Sequence, residues 1–456
     1  MKNRIILNGF LLLSFVLLTI LNLIFLDYQF SKLICIYGFI SFVYILYFHL
    51  VNLLKKQIDL SINIFLFGSL FWFWKEIISL SFNTILFENL SGFSPYLSQQ
   101  IPIDILAISL AMFSVFNFFV YFLWFRFRNL KFPTNIFLIK SISKNSLITE
   151  ITLMLAAASG WIPFSRQFGG FQESFYRLLL FRTEKIELDE SLLNYLPIVA
   201  IMASSYAFFR LLNKQSKNIY ITTITIILGG LIAFLSGTRF KIVFLILPAL
   251  LSILIVSKKI VDFKNKVLAI SFVFSILIAV SVYQVNNRYG TNIVVDDEIS
   301  LTKSYDGSDH FTALTHAVAI SDELDSYFYQ PMIFLFTSDF IPRMFWPNKP
   351  KSKFWEFYND KIAIAGNVTP SILGQYFLNW GFFGVFIAAF NFAFWLSLSD
   401  FLLKRYKLKN NIQYLWLTTV TLTFLFLSFR VYSFNYFFYL LIAYFFCWYF
   451  TKSKTT

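Results

Sequence analysis

Apolar runs of about twenty residues recur along the whole chain, separated by short polar connections and broken once by a long polar stretch at residues 286–369. A helix rising ~1.5 Å per residue needs about that length to cross ~30 Å of hydrocarbon. The pattern predicts spans at residues 5–26, 33–54, 60–81, 102–124, 146–163, 191–212, 219–237, 240–256, 267–284, 372–397, 413–429 and 435–450. The expected fold is an all-α polytopic integral membrane protein with about twelve transmembrane helices and one long external loop carrying short helices. Nine spans fall in residues 1–285, the loop in 286–369 and three spans in 370–456. The first run follows Lys2 and Arg4 like a signal peptide but lacks a small-residue cleavage site, so it is expected to stay as an anchor.

Composition agrees with this class, since 58% hydrophobic residues exceed what a soluble core needs and 14% charged residues fall below the ~25% usual for soluble domains. Charge then orients the spans. Sorted by alternate connections, 22 of the 38 basic residues fall on one side, whereas the short connections of the other side hold eight. Positive residues in short loops stay cytoplasmic, which predicts cytoplasmic termini and an external long loop. The net charge of +14 is thereby explained by topology and attraction to anionic lipid, with no call for nucleic acid. Cys35 and Cys447 sit inside spans as packed apolar groups. The three histidines have no zinc spacing, the acids at 296–298 and 306–309 lack the spacing of a calcium loop, and no metal or cofactor is predicted.

Three external segments hold the candidate chemistry. Residues 165–190 place Phe171, Phe175, Leu178 and Leu179 at helical spacing, as in an interfacial helix. That helix serves either as a surface anchor or as a substrate contact through Arg166 or Arg182. The turn Ser236-Gly237-Thr238-Arg239-Phe240-Lys241 brings a guanidinium and an ammonium to the membrane edge. Arg239 and Lys241 suit a diphosphate, which arginine grips with two parallel hydrogen bonds, or else they snorkel to head groups. In the long loop, a helix over 309–320 would set Phe311, Leu314 and Val318 on one face and Asp309, Thr312 and His316 on the other. His316 with Asp309 is then a candidate proton acceptor, although a histidine at the surface is the plainer expectation, and likewise for His310. Residues 331–340 are apolar but too short to span, and Ile341 to Pro350 follow as a stiff loop containing three prolines. This loop carries Arg343, Phe345, Trp346 and Lys349, suited to phosphates and sugar rings, or to a bilayer surface belt.

The stretch Ile341-Pro342-Arg343, Trp346-Pro347, Lys349-Pro350, then Thr369-Pro370-Ser371, Gly374, Tyr376, Asn379, Gly381 and Gly384 resembles the oligosaccharide repeat-unit polymerases, the Wzy-type O-antigen polymerases. Gly237-Thr238-Arg239 is similar to the Gly-Ser-Arg turn of those proteins, with Thr238 in place of serine. The resemblance implies a fold related to membrane glycosyltransferases of the C class (GT-C-like) in the bacterial cytoplasmic membrane. It also implies transfer of a growing glycan from undecaprenyl diphosphate to the terminal sugar of another lipid-linked repeat unit, in O-antigen, capsule or exopolysaccharide synthesis. A flippase and a chain-length regulator are the implied partners. Arg239, Arg343, His316 and Asp309 would then be catalytic, with Arg166, Arg182, Lys241, Trp346 and Lys349 binding substrate. A lipid-linked oligosaccharide flippase, with Lys75, Glu76 and His49 along a path, and an O-antigen ligase fit the same pattern.

Overall fold

The computed structural model describes residues 2–55, 59–74, 77–78, 102–129, 147–174, 195–235, 239–256, 310–323, 327–329, 371–430 and 434–451. Among these, the secondary structure is helical throughout, with no strand. Helices α1 (Lys2–Phe25), α2 (Tyr28–Leu54), α3 (Leu60–Ser69) and α4 (Ile103–Phe127) come first. Next are α5 (Leu147–Ser159), α6 (Ile162–Phe168), α7 (Leu196–Leu212), α8 (Ile219–Leu235) and α9 (Arg239–Val256). The long loop contributes α10 (His310–Ala319), and α11 (Ser371–Lys409), α12 (Ile412–Ser428) and α13 (Phe434–Thr451) close the chain. Helices at residues 3–25, 28–54, 103–127, 147–168 and 371–409 are long and apolar enough to cross a membrane. Six shorter apolar helices accompany them. The span expected at 267–284 lies outside the described residues.

Local chemistry sets several of the helix ends. Asp27 caps α2 by accepting from the Gln29 and Phe30 amides, and Asn411 caps α12 by accepting from Gln413 N–H at 3.0 Å. Asp104 opens α4 and Arg126 closes it, the order that the helix dipole favours. On α1, Ile6, Phe10, Leu13, Leu17 and Ile24 are exposed on one stripe, whereas Asn8, Leu12, Phe15 and Thr19 are buried. A continuous apolar face without a protein partner is what lipid covers.

Helices α1, α2, α3, α4 and α11 pack as one group, α5, α7, α8 and α9 as another, and α12 joins them by touching α3, α9, α11 and α13. Helix α12 is buried along its length except at Ile412 and Phe426. Its hydroxyls are satisfied within the helix: Thr418, Thr421, Thr423 and Ser428 each donate to the carbonyl four residues earlier. Burying these four hydroxyls therefore orphans none of them.

Three expected spans differ in form. Helix α3 passes into a π-helical turn at Leu70–Trp74. The predicted span at 146–163 is broken between α5 and α6, where Gly160 touches α7: a Cβ there would lie 2.4 Å from that of Ala200. The predicted span at 372–397 is a longer helix, Ser371–Lys409, interrupted at Gly381 with φ 58° and ψ −148°. Only glycine adopts that backbone readily. The break frees carbonyls, and a strap at residues 327–329 uses them: Tyr329 N–H donates to the Asn379 carbonyl at 2.8 Å and Phe328 N–H to that of Leu378 at 3.5 Å. Gly384 then lets the Tyr376 carbonyl pass, since a Cβ would sit 2.0 Å from that oxygen. The Tyr376 hydroxyl accepts from Asn391 Nδ2 at 3.0 Å across the break. Four residues of the resemblance motif, Tyr376, Asn379, Gly381 and Gly384, thus build one bend.

Candidate functional site

Helix α10 contains neither Gly nor Pro, and Thr315 Oγ1 and Ser321 Oγ fold back onto the carbonyls of Thr312 and Val318. It is wedged against α4, α11 and the π turn, and every residue from His310 to Val318 is buried. The two-faced helix expected from the sequence is corrected accordingly. Its apolar face meets α4, with the Phe311 ring 6.3 Å from that of Phe113, but its polar face is covered too.

The histidines are consequently interior groups, contrary to the expectation of surface positions. His310 is 0% exposed, its ring stands edge-on to Trp72 at 4.9 Å, and neither ring nitrogen has a hydrogen-bond partner. The Trp72 indole donates to the Phe426 carbonyl at 2.9 Å, which fixes this ring pair on the last turn of α12. Burial and then the Arg430 charge push His310 down to about 3. Burial alone pushes His316 down to about 4. Both imidazoles are neutral at physiological pH.

Arg430 is half-buried two residues beyond α12, with its amide bonded to the Leu427 carbonyl at 3.1 Å. Its charge acts on both His310 and Tyr436. Tyr436 in turn packs on Phe240 at 4.9 Å, in the first turn of α9, the turn that begins with Arg239 and contains the half-buried Lys241. The sequence reasoning passed over Arg430. Its signal was present, an arginine in a short connection on the sparsely basic side of the charge split.

The other predicted site residues divide. Arg166 is exposed in the last turn of α6, and the structure does not bring it to this cluster. Arg239 opens α9, and its side chain lies outside the described residues. So do Arg182, Asp309, Arg343, Trp346 and Lys349, the turn at 236–238, the helix expected at 331–340, and Lys75 with Glu76. Among the described residues no group of three metal-ligating side chains converges.

A second buried polar cluster occupies the opposite end of the bundle. Asp59 stands at the amino end of α3 without capping it, and its carboxylate faces His49 Nδ1 at 3.7 Å. His49 Nε2 meets the Tyr121 hydroxyl at 3.2 Å. Nearby, Asp400 accepts from Ser61 Oγ at 2.6 Å and from Trp124 Nε1 at 2.8 Å. These contacts tie α2, α3, α4 and α11 together, so His49 is a packed member of a helix junction.

Comparison of the chain with protein-family models, with curated proteins and with solved structures finds no match in any of the three.

Proposed function

We propose that the protein is a membrane glycosyltransferase that polymerises lipid-linked oligosaccharide repeat units at the outer face of a bacterial cytoplasmic membrane. In this reading it has twelve spans, cytoplasmic termini and a GT-C-like arrangement, and residues 286–369 face outward. The growing glycan leaves undecaprenyl diphosphate and is joined to the terminal sugar of a second lipid-linked unit. The observation that carries the reading is α10, a helix of the long loop, docked with two buried neutral histidines at the end of the bundle where Arg430 and the basic first turn of α9 also lie.

The chemistry follows from charge. A sugar that departs from a lipid diphosphate leaves negative charge on the phosphates, and pre-positioned cations stabilise it most as it develops. Arg239 and Arg343 are the proposed neutralising groups, with Arg166, Arg182, Lys241 and Lys349 holding phosphates and Trp346 stacking on a sugar. His316, supported by Asp309, is the proposed acceptor of the attacking hydroxyl's proton. An imidazole held near 4 is a weak base in the free protein. Burial is what weakens it, and a diphosphate bound nearby favours the imidazolium and so makes it a stronger base in the substrate complex.

Deleting the gene and examining the surface glycan tests the reading. Single repeat units on the surface support a polymerase. Loss of every surface repeat assigns a flippase, and polymer stranded on its lipid carrier assigns a ligase.

A further inference from the structure

The strap at residues 327–329 has a strained backbone as well as its amide stitch. Tyr329 sits at φ 47°, in the left-handed region that a bulky side chain avoids. Leu26, Lys214 and Asn410 share that conformation, but each lies within two residues of a helix end, where one left-handed residue is a usual way to stop. Tyr329 ends no helix, since Tyr327 and Phe328 before it are irregular. Strain of this kind persists where the surroundings enforce it, and the Tyr329 N–H bond to the Asn379 carbonyl at 2.8 Å does so here. The enforced backbone fixes the place of the ring, which is 55% exposed and stands edge-on to Trp380 at 5.6 Å and to Tyr327 at 6.1 Å.

The two neighbours are fixed as well. Tyr327 lies on Gly381, where a Cβ would come within 2.9 Å of its ring, and the buried Phe377 backs it at 6.0 Å. Trp380 immediately precedes the bend and is half-buried. Neither tyrosine hydroxyl nor the Trp380 indole N–H makes a hydrogen bond among the described residues, and none of the three is sealed inside the protein. Three rings with unused polar tips therefore surround the one break in α11, with Tyr329 at 85° to Trp380 and 89° to Tyr327.

We propose that Tyr327, Tyr329 and Trp380 form a sugar-binding platform that seats a pyranose ring of the lipid-linked glycan. The identity of that glycan rests on the polymerase reading. An aromatic face takes the C–H side of a sugar ring, and the hydroxyl and indole tips bond to the sugar's own hydroxyls. None of the three side chains is charged at neutral pH, which suits the sugar rather than the diphosphate. Bilayer head groups also attract tyrosine and tryptophan, but that attraction depends on depth and amphipathic area. It gives no reason to hold a tyrosine in a left-handed backbone, whereas a sugar ring requires faces at set angles. The strap belongs to the long loop and Trp380 to α11, so a unit seated here is held against both.

The test uses the whole chain in lipid nanodiscs, titrated calorimetrically with the oligosaccharide freed by mild acid from the cell's own lipid-linked repeat units. Wild-type protein is expected to bind it, and Trp380→Ala to weaken binding by about tenfold. Tyr329→Gly keeps the amide stitch, relaxes the left-handed backbone and removes the ring. It should therefore unfold at the wild-type temperature or higher while losing affinity by about tenfold. Tyr329→Phe, which keeps the face and drops the hydroxyl, should retain part of the affinity. Unchanged affinity in Tyr329→Gly and Trp380→Ala overturns the platform and leaves the rings to packing, if melting falls, or to the bilayer surface, if it does not. Absence of binding by the wild type overturns it equally. If the variants lose the sugar but the wild type makes no polymer, the platform stands and the polymerase reading falls. If polymer forms while the variants bind as the wild type does, the reading survives the platform's failure.

Discussion

An imidazole pushed to about 3 inside α10 has consequences for stability as well as chemistry. Between that value and the unfolded value of about 6.5 the unfolded chain binds more protons than the folded one. Stability therefore rises with pH across that window, is level above it, and falls as solutions are acidified below about 6.5. His310→Gln is expected to flatten this acid-side slope in thermal unfolding followed over pH, with His316 accounting for what remains. Arg239→Ala should abolish polymer while leaving membrane insertion unchanged, and Arg239→Lys should rescue it poorly, because an ammonium cannot reproduce the guanidinium fork. Full chain length in the lysine variant would show that the position needs charge alone. Glu150 offers a residue-scale contrast. Its buried carboxylate accepts from the Lys217 and Asn218 amides and pairs with Arg210 at 3.8 Å, clamping the turn between α7 and α8. Glu150→Ala strands Arg210 and should cost about 3–5 kcal/mol, read as a lowered melting temperature. Glu150→Gln, which keeps one acceptor, should lose less.

At the scale of elements, the bend of α11 yields the sharpest expectation. Gly381→Ala forces a side chain into a backbone region that costs about 1–3 kcal/mol, and its Cβ would meet Tyr327 Cε2 at 2.9 Å. The variant should unfold at lower temperature and expose the Tyr329 amide to faster hydrogen exchange. Hydrophobic run length was enough to locate most helices, because a twenty-residue apolar stretch has few alternatives in lipid. It did not register the π turn at Leu70–Trp74, the Gly160 break or the Gly381 bend. Each of these depends on which neighbour presses on one residue, information that one-dimensional hydropathy lacks. The same limit explains the histidines: spacing put His316 on the face opposite Phe311, but whether that face meets water or packed neighbours is decided by packing. Arg430 was legible only as an odd charge on the wrong side.

For the whole molecule, the charge split predicts that cysteine introduced at Ser304 labels from outside and at Thr456 only after permeabilisation. Reversed labelling would move α10 to the wrong compartment and end the proposed reaction. The interior is also informative at this scale, because α12 fills the centre with hydroxyls turned onto their own backbone. Hydroxyls turned inward in this way offer nothing to a passing sugar, and in the proposed reaction the substrate is worked at one end of the bundle. The strap at Tyr327–Tyr329 has a mechanical meaning there. Because its amides occupy the carbonyls that the Gly381 bend exposes, the loop cannot swing away without either orphaning those carbonyls or straightening the helix. The stitch therefore acts as a peg between loop and bundle. In the proposed reaction a lengthening glycan would have to pass a loop pinned at that point.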